Sequence, residues 1–222
     1  MLLAIDTSTS NIGIAVYDGS NILGENTWSS VNRHTTVLAK AVKGMLEAID
    51  IDKNRLKGIA IALGPGSFTS LRVGISFAKG AALGLEIPVI GIPTLDILAA
   101  AQPVNELPLC SLLQAGRTRL AVCFYKQEKD RWILSSEIEV HTAESLCDRI
   151  QSPTTVCGEI NNELRTFLRK QNRNIKLASP AMCLRRPGFL AEIAWKQLEK
   201  GTYPPAAGLA PIYLHTKDSI PN

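Results

Sequence analysis

Residues 62–74 read Ala-Leu-Gly-Pro-Gly-Ser-Phe-Thr-Ser-Leu-Arg-Val-Gly, and this stretch decides how the N-terminal half of the chain folds. It follows an apolar, β-branched run and precedes a segment with helical spacing, so it predicts a buried strand, a glycine turn and a helix. Gly64 and Gly66 allow positive φ or the close approach of another surface. Ser67 can cap the first helical amides, which also attract anions. The residues leave two interpretations, an ordinary turn and a phosphate-binding loop, and the ordinary turn is favoured because isolated motifs often match by chance.

A second polar turn lies close to the N-terminus. An apolar run ends at Asp6, hydroxyl-bearing residues follow, and further apolar runs at 12–17 and 22–28 predict a three-stranded meander. Asp6, Ser8 and Thr9 are candidates for a phosphate site, because an acid followed by a hydroxyl-rich turn opens that site in the actin/Hsp70/sugar-kinase (ASKHA) fold. The alternative is an Asx turn, in which Asp6 accepts only from nearby backbone amides.

The composition is that of a globular protein. The 222 residues are 45% hydrophobic and 20% charged, with a formal net charge of +4. No apolar run approaches the roughly 20 residues that cross a bilayer. No basic segment precedes an apolar core at the N-terminus, which argues against a signal peptide. We therefore expect a cytoplasmic protein that does not contact membranes. The five cysteines are scattered and there are only three histidines, so a zinc site is not expected.

The order of the elements indicates an α/β protein with two lobes. After the meander, the pattern predicts a helix at 32–50, a strand at 58–63, a helix at 69–85, a strand at 88–92 and a helix at 94–101. Residues 102–108 contain two prolines and predict a hinge. Further strands are predicted at 109–113, 120–126, 132–140 and 154–157, with helices after Thr142, at 161–170 and from Pro187 to Gly201. We expect lobes at 1–105 and 106–222.

Together the motifs resemble those of the TsaB family, glycoprotease-like subunits of the bacterial machinery that forms tRNA threonylcarbamoyladenosine (t6A). The resemblance is carried by Leu3-Ala4-Ile5-Asp6-Thr7-Ser8-Thr9, His34, residues 64–74, Ala78-Lys79-Gly80 and Pro211-Ile212-Tyr213-Leu214. It implies the ASKHA fold, with a mixed sheet and helices in each lobe. It also implies a non-catalytic scaffold that binds the catalytic paralogue TsaD and assembles with the ATPase TsaE. Whether the chain alone is a homodimer or a monomer stays open. The remnant of a nucleotide or phosphate site would comprise Asp6, Ser8, Thr9, Gly64, Gly66 and Ser67.

Two departures from related sequences, one from TsaD and one from TsaB proteins, indicate that the chain is not catalytic. TsaD is recognised by two histidines one helical turn apart, whereas His34 is followed one turn later by Leu38. TsaB relatives tend to carry Asp-Ala-Arg after the first strand of the second lobe, but this chain has Gln114-Ala115-Gly116-Arg117, without the carboxylate that Mg²⁺ prefers. We expect no metal, no cofactor and no catalytic residue, with Arg117 replacing the family arginine. The alternatives are an independent actin-like nucleotide-binding ATPase and a metalloprotease-like hydrolase.

The resemblance further implies that two helices of the first lobe form a bundle with TsaD or with a second copy. On the second of these helices, Gly74, Ala78 and Ala82 recur every four residues and form a ridge of small side chains that a facing helix could approach closely. The alternative is that this ridge packs on the chain's own sheet. The interface candidates are Val37, Leu38, Ala41, Val42, Met45, Leu71, Gly74, Ile75, Ala78 and Ala82.

A run of basic residues occurs between Glu163 and Glu192. No acidic residue interrupts it, and its members are Arg165, Arg169, Lys170, Arg173, Lys176, Arg185 and Arg186. Such a patch could contact phosphates, but it is more often a solvated face. We therefore expect tRNA contact to be weak or indirect.

Overall fold

The computed structural model describes residues 1–30, 34–116 and 118–214. The first sheet contains β1 (Leu2–Asp6), β2 (Asn11–Tyr17), β3 (Ile22–Ser29), β4 (Gly58–Ala62) and β5 (Val89–Ile92). The second contains β6 (Leu109–Gln114), β7 (Leu120–Glu128), β8 (Arg131–Leu134), β9 (Glu139–His141), β10 (Thr154–Gly158) and β11 (Ile175–Leu177). The helices are α1 (His34–Ala48), α2 (Phe68–Leu85), α3 (Thr94–Ala100), α4 (Ala143–Arg149), α5 (Asn162–Gln171) and α6 (Pro187–Lys200). Short 3-10 helices lie at Lys53–Arg55, Pro180–Cys183 and Ala206–Gly208.

Both sheets follow the same strand plan. The first has the order β3-β2-β1-β4-β5, and the second has the order β8-β7-β6-β10-β11, with β9 paired to β7. In each, the first strand pairs antiparallel with the second strand and parallel with the strand on its other side. The predicted strand at 132–140 is two strands, since the Ser136 hydroxyl, not a backbone carbonyl, accepts from the Phe124 amide. The duplicated plan confirms the predicted α/β class with two mixed sheets.

The first sheet is covered on both faces. For this reason β1 and β4 are buried along their whole length and consist of apolar residues up to Asp6. One face packs against α1 and α2 through a cluster that includes Leu3, Ile5, Ile61 and Ala78. The other face packs against α6 through a second cluster, whose members include Leu2, Ala4, Ala60, Leu190 and Ala194.

Two helices each belong to one predicted lobe in sequence but pack against the sheet of the other lobe. α6 comes from the C-terminal half of the chain but packs on β1, β2 and β5 of the first sheet. α3 comes from the N-terminal half, yet Leu95 and Leu98 pack with Leu109 and Leu113 of the second sheet. The division at residue 105 stays a prediction, and these two helices connect the lobes that it separates.

Candidate functional site

The Asp6 turn is a network of buried side chains at the end of β1. The Ser8 amide donates to Asp6 Oδ1 at 2.8 Å, as in the Asx-turn interpretation. The Thr7 hydroxyl donates to the carbonyl oxygen of Ser70 at 2.8 Å. The hydroxyls of Ser8 and Thr94 are also hydrogen bonded, at 2.8 Å. Thr7 and Ser8 are completely buried, so their hydroxyls stabilise the turn and do not face a ligand.

The glycine turn packs directly on the Asp6 turn. The Ser67 amide donates to the carbonyl oxygen of Ser8 at 2.7 Å. A Cβ on Gly66 would lie 2.1 Å from that same oxygen, so the turn requires glycine there because the two backbones touch. Positive φ occurs at Gly64, at +107°. Ser67 is the N-cap of α2, as predicted. Gly64, Gly66 and Ser67 therefore serve the packing of two turns.

Arg185 lies against the Asp6 carboxylate and comes from the segment just before α6. Its Nε donates to Asp6 Oδ2 at 2.7 Å, and one Nη donates to Thr9 Oγ1 at 2.8 Å. The other Nη pairs with Glu159, whose carboxylate also accepts from the Asn11 side-chain amide at 3.0 Å. Arg185 is only 2% exposed. Burial alone would lower the pKa of Arg185, but the Asp6 and Glu159 carboxylates outweigh it and raise that pKa.

The guanidinium therefore supplies the positive charge that faces Asp6. It joins the β1 turn of the first lobe to Glu159, which follows β10 of the second. A magnesium–phosphate group would have to displace a buried, doubly paired cation to reach Asp6 Oδ2. Sequence reasoning missed this contact, because Arg185 belongs to the basic run and lies 179 positions from Asp6. The sequence offered one signal for it, namely that Arg185 directly precedes Arg186-Pro187, where the last helix begins.

A cleft of about 650 Å³ opens beside this ion pair, between the two lobes. Its polar lining combines four amide side chains and two hydroxyls with the charged Glu159 and Arg165, and the amides are Asn11, Gln114, Asn161 and Asn162. Within residues 1–30, 34–116 and 118–214, no group of three His, Cys, Asp or Glu side chains is placed to hold a metal ion. Of the two other residues that the motifs single out, His34 begins α1 and Arg117 lies outside the described residues.

The predicted ridge on α2 faces the chain's own sheet. Leu71, Gly74, Ile75, Ala78 and Ala82 are all buried, and a Cβ on Gly74 would lie 2.2 Å from Thr7 Oγ1. The expectation that a partner helix approaches this ridge was therefore wrong, because the side chains of Thr7 and Ile61, from the β1 turn and β4, already lie against it.

The first helix shows the same division between core and surface. Leu38 and Val42 are buried in the core that α1 shares with α2 and the sheet. Val37, Ala41 and Met45 are half-buried beside them. Only these three of the ten interface candidates keep part of their side chain accessible, and their role in an interface stays a prediction.

The exposed face of α2 carries a different row of small residues. Ser76, Gly80 and Gly84 are exposed and recur every four residues, and a Cβ on either glycine would meet no atom within 4 Å. Leu83 lies on the same face and is 82% exposed. Beside this row, a cleft of about 580 Å³ between α1 and α2 is lined by Ala39, Phe77 and neighbouring side chains.

The basic run is divided by the fold. Arg185 is buried, the Nε of Arg186 donates to Glu25 at 3.0 Å, and an Nη of Arg165 donates to the Ala178 carbonyl at 3.0 Å. Arg186 stays exposed beside Glu25, and the exposed members that form no ion pair within the described residues are Arg169, Lys170, Arg173 and Lys176. The structure therefore reduces the predicted seven-residue patch to four cations around the end of α5 and β11.

Comparison with solved structures defines the class of protein. A Pseudomonas aeruginosa protein described as similar to peptidase YEAZ superposes with a TM-score of 0.79 at 20% identity, covering 96% of this chain and 99% of that one. The activator of 2-hydroxyisocaproyl-CoA dehydratase from Clostridium difficile, solved with ADPNP bound, superposes with a TM-score of 0.55 at 11% identity, covering 90% and 96%. With the duplicated strand plan, these likenesses define a two-lobed protein of the ASKHA fold.

Sequence comparison defines the family. A family model described as TsaD, tRNA N6-adenosine threonylcarbamoyltransferase, matches residues 21–181. The TsaB protein of Haemophilus influenzae, named for tRNA threonylcarbamoyladenosine biosynthesis, is 36% identical over 169 residues, which cover 73% of this chain and 68% of that protein. The chain belongs to the TsaB family. Its matches to the TsaB proteins of Bacillus subtilis, Buchnera aphidicola and Escherichia coli span 43%, 47% and 42% of their lengths, less than half in each case.

One further observation concerns membranes. No helix in the described part of the chain is both long and apolar enough to span a bilayer.

Proposed function

We propose that this chain is a non-catalytic subunit of the t6A machinery that binds TsaD through the exposed face of α1 and α2. The observation that carries the proposal is the row formed by Ser76, Gly80 and Gly84, which lies on the surface of an otherwise well-packed helix. An exposed glycine costs about 1 kcal/mol of helix stability relative to alanine. Nothing inside the described chain offsets that cost, since no atom approaches either glycine. A partner helix that packs closely there would offset it.

The surroundings of the row suit a helix of a similar protein. Leu83 provides an exposed apolar side chain on the same face, and the neighbouring cleft offers Ala39 and Phe77. The first helix of the pair, α1, adds three half-buried side chains, those of Val37, Ala41 and Met45. When TsaD is absent, a second copy of the chain would occupy this face, and TsaE would join the complex with TsaD. We place this assembly in the cytoplasm.

The ion pair of Arg185 supports the non-catalytic part of the proposal. With Asp6 held by a buried guanidinium, the chain lacks a free carboxylate at the position where an ATPase of this fold class would need one. We expect no ATP or peptide turnover above background by the purified chain. Turnover that survives purification and disappears in Asp6→Ala would contradict this expectation.

The experiment that tests the docking face compares three variants of the full chain. Gly80→Leu should abolish co-purification and calorimetric binding with TsaD, because a large side chain separates the helices, while its melting temperature should not fall. Gly80→Ala should raise the melting temperature. Thr166→Leu, at an exposed position of α5, is the matched control and should bind normally. Normal TsaD binding by Gly80→Leu would refute the proposed face.

A further inference from the structure

A second cavity lies between α3, α6 and the β7–β8 hairpin, and it shares no lining residue with the cleft beside Asn11. Its volume is about 470 Å³, within the range of about 300–1,000 Å³ that is typical of small-molecule sites. The walls are largely apolar and aromatic, and they include Tyr125, Trp132, Phe189 and Ile193. Since α6 packs on the first sheet and the hairpin belongs to the second, a ligand here would contact both lobes.

A single carboxylate stands out among these walls. Asp96 lies in the first turn of α3 and lines the cavity, and its Oδ1 accepts from the Tyr125 hydroxyl at 2.8 Å. Burial raises the pKa of Asp96, and the hydrogen bond from Tyr125 opposes that rise. Within the described part of the chain, Oδ2 accepts no hydrogen bond and no cationic side chain forms an ion pair with Asp96.

We propose that this cavity binds a small organic cation, an ammonium group carried on an aromatic body. The ammonium would donate to Asp96 Oδ2, and the body would contact Trp132 and Phe189 in the lining of the cavity. Aromatic rings attract cations within about 6 Å of their centres, and more strongly where water is excluded. The Tyr125 hydrogen bond fixes the carboxylate, so the site is organised before the ligand arrives.

The other charged groups around the cavity favour this sign of ligand. Asp130 and Glu192 line it with Asp96, and Arg131 and Lys196 line it as well. The three carboxylates exceed the two cations, and neither cation lies in an ion pair with Asp96. An anion would have to lie beside the unpaired oxygen of Asp96, whereas an ammonium group would supply the missing partner.

The test is a calorimetric titration of the full chain with phenethylammonium, alongside the neutral 2-phenylethanol and the anionic 3-phenylpropionate. We expect the ammonium compound to bind. The affinities of the alcohol and the carboxylate should be lower by about tenfold or more, because neither can form the charge-assisted hydrogen bond with Asp96. Asp96→Asn keeps an oxygen that can accept from Tyr125 but removes the charge. It should lower the affinity for phenethylammonium by a similar factor. Asp148→Asn, at an exposed position of α4, is the matched control and should bind normally.

Three results would overturn the proposal. They are no binding of phenethylammonium at millimolar concentration, equal affinity for the alcohol, and unchanged affinity in a folded Asp96→Asn variant. If Asp96→Asn does not fold, the comparison of ammonium with alcohol on the unaltered chain decides the question. The test needs only the isolated chain, so its outcome is independent of whether the α1–α2 face binds TsaD.

Discussion

Replacement of Arg185 by methionine should destabilise the chain strongly. Methionine keeps an apolar stem but removes the guanidinium, which leaves Asp6 buried with no counter-charge. Breaking a buried pair from one side costs about 3–5 kcal/mol. Glu159 contributes less to that cost, since its side chain is 22% exposed and keeps the Asn11 side-chain amide as a donor.

Thermal denaturation followed by circular dichroism measures this effect. One kcal/mol shifts the melting temperature of a domain of this size by about 2–4 °C, so the expected fall is about 6–20 °C. Arg186→Met is the matched control. Arg186 is exposed and pairs with Glu25 at the surface, where such pairs contribute about 0–1 kcal/mol.

A double variant separates the orphaned charge from lost packing. Asp6→Asn combined with Arg185→Met leaves no buried charge in the β1 turn, and the substituted asparagine side chain can still accept from the Ser8 amide in the way that Asp6 does. We expect the double variant to be more stable than Arg185→Met alone. An Arg185→Met variant that melts no lower than Arg186→Met, or a double variant as unstable as the single one, would show that Asp6 does not need the guanidinium as a counter-charge.

Two further substitutions and one labelling experiment test the packing of the chain. Gly66→Ala should lower the melting temperature, because its Cβ would meet the Ser8 carbonyl, and an unchanged value would show that the two turns can separate freely. Ala78→Leu overpacks the core beneath α2 and should cost about 1–3 kcal/mol in urea denaturation; unchanged stability with lost TsaD binding would place that ridge at the interface after all. Iodoacetamide should modify Cys147 before Cys110, since Cys147 is only partly buried whereas complete burial raises the pKa of the Cys110 thiol strongly. Peptide mass spectrometry gives the order.

The sequence predicted the strands and helices well where periodicity is strong. The strand β4 and the helix α2 lie within one residue of their predicted bounds, because an apolar run followed by Gly-Pro-Gly and a serine cap is a local signal. The contact of Arg185 with Asp6 could not be predicted in the same way. It depends on α6 crossing to the first sheet, and no local pattern encodes which sheet a terminal helix covers.

The wrong assignment of the ridge on α2 has a similar cause. This helix carries small residues every four positions on two faces, at Gly74 and Ala78 on one and at Gly80 and Gly84 on the other. Helical spacing identifies both rows but does not say which one meets the sheet. The fold identifies the buried row, because Thr7 and Ile61 lie against Gly74, and Ala78 is completely buried in the core.

The path of α6 has a consequence for synthesis on the ribosome. All five strands of the first sheet have been made by residue 92, but the helix that covers one of its faces ends at residue 200. Until then Leu2, Ala4 and Ala60 have no covering helix, so the nascent chain carries an apolar sheet face throughout that interval of elongation. This face of the first sheet can be covered only after residue 200 has been made, and not when the N-terminal segment is complete. Truncation before α6 should therefore yield an aggregating or chaperone-bound fragment.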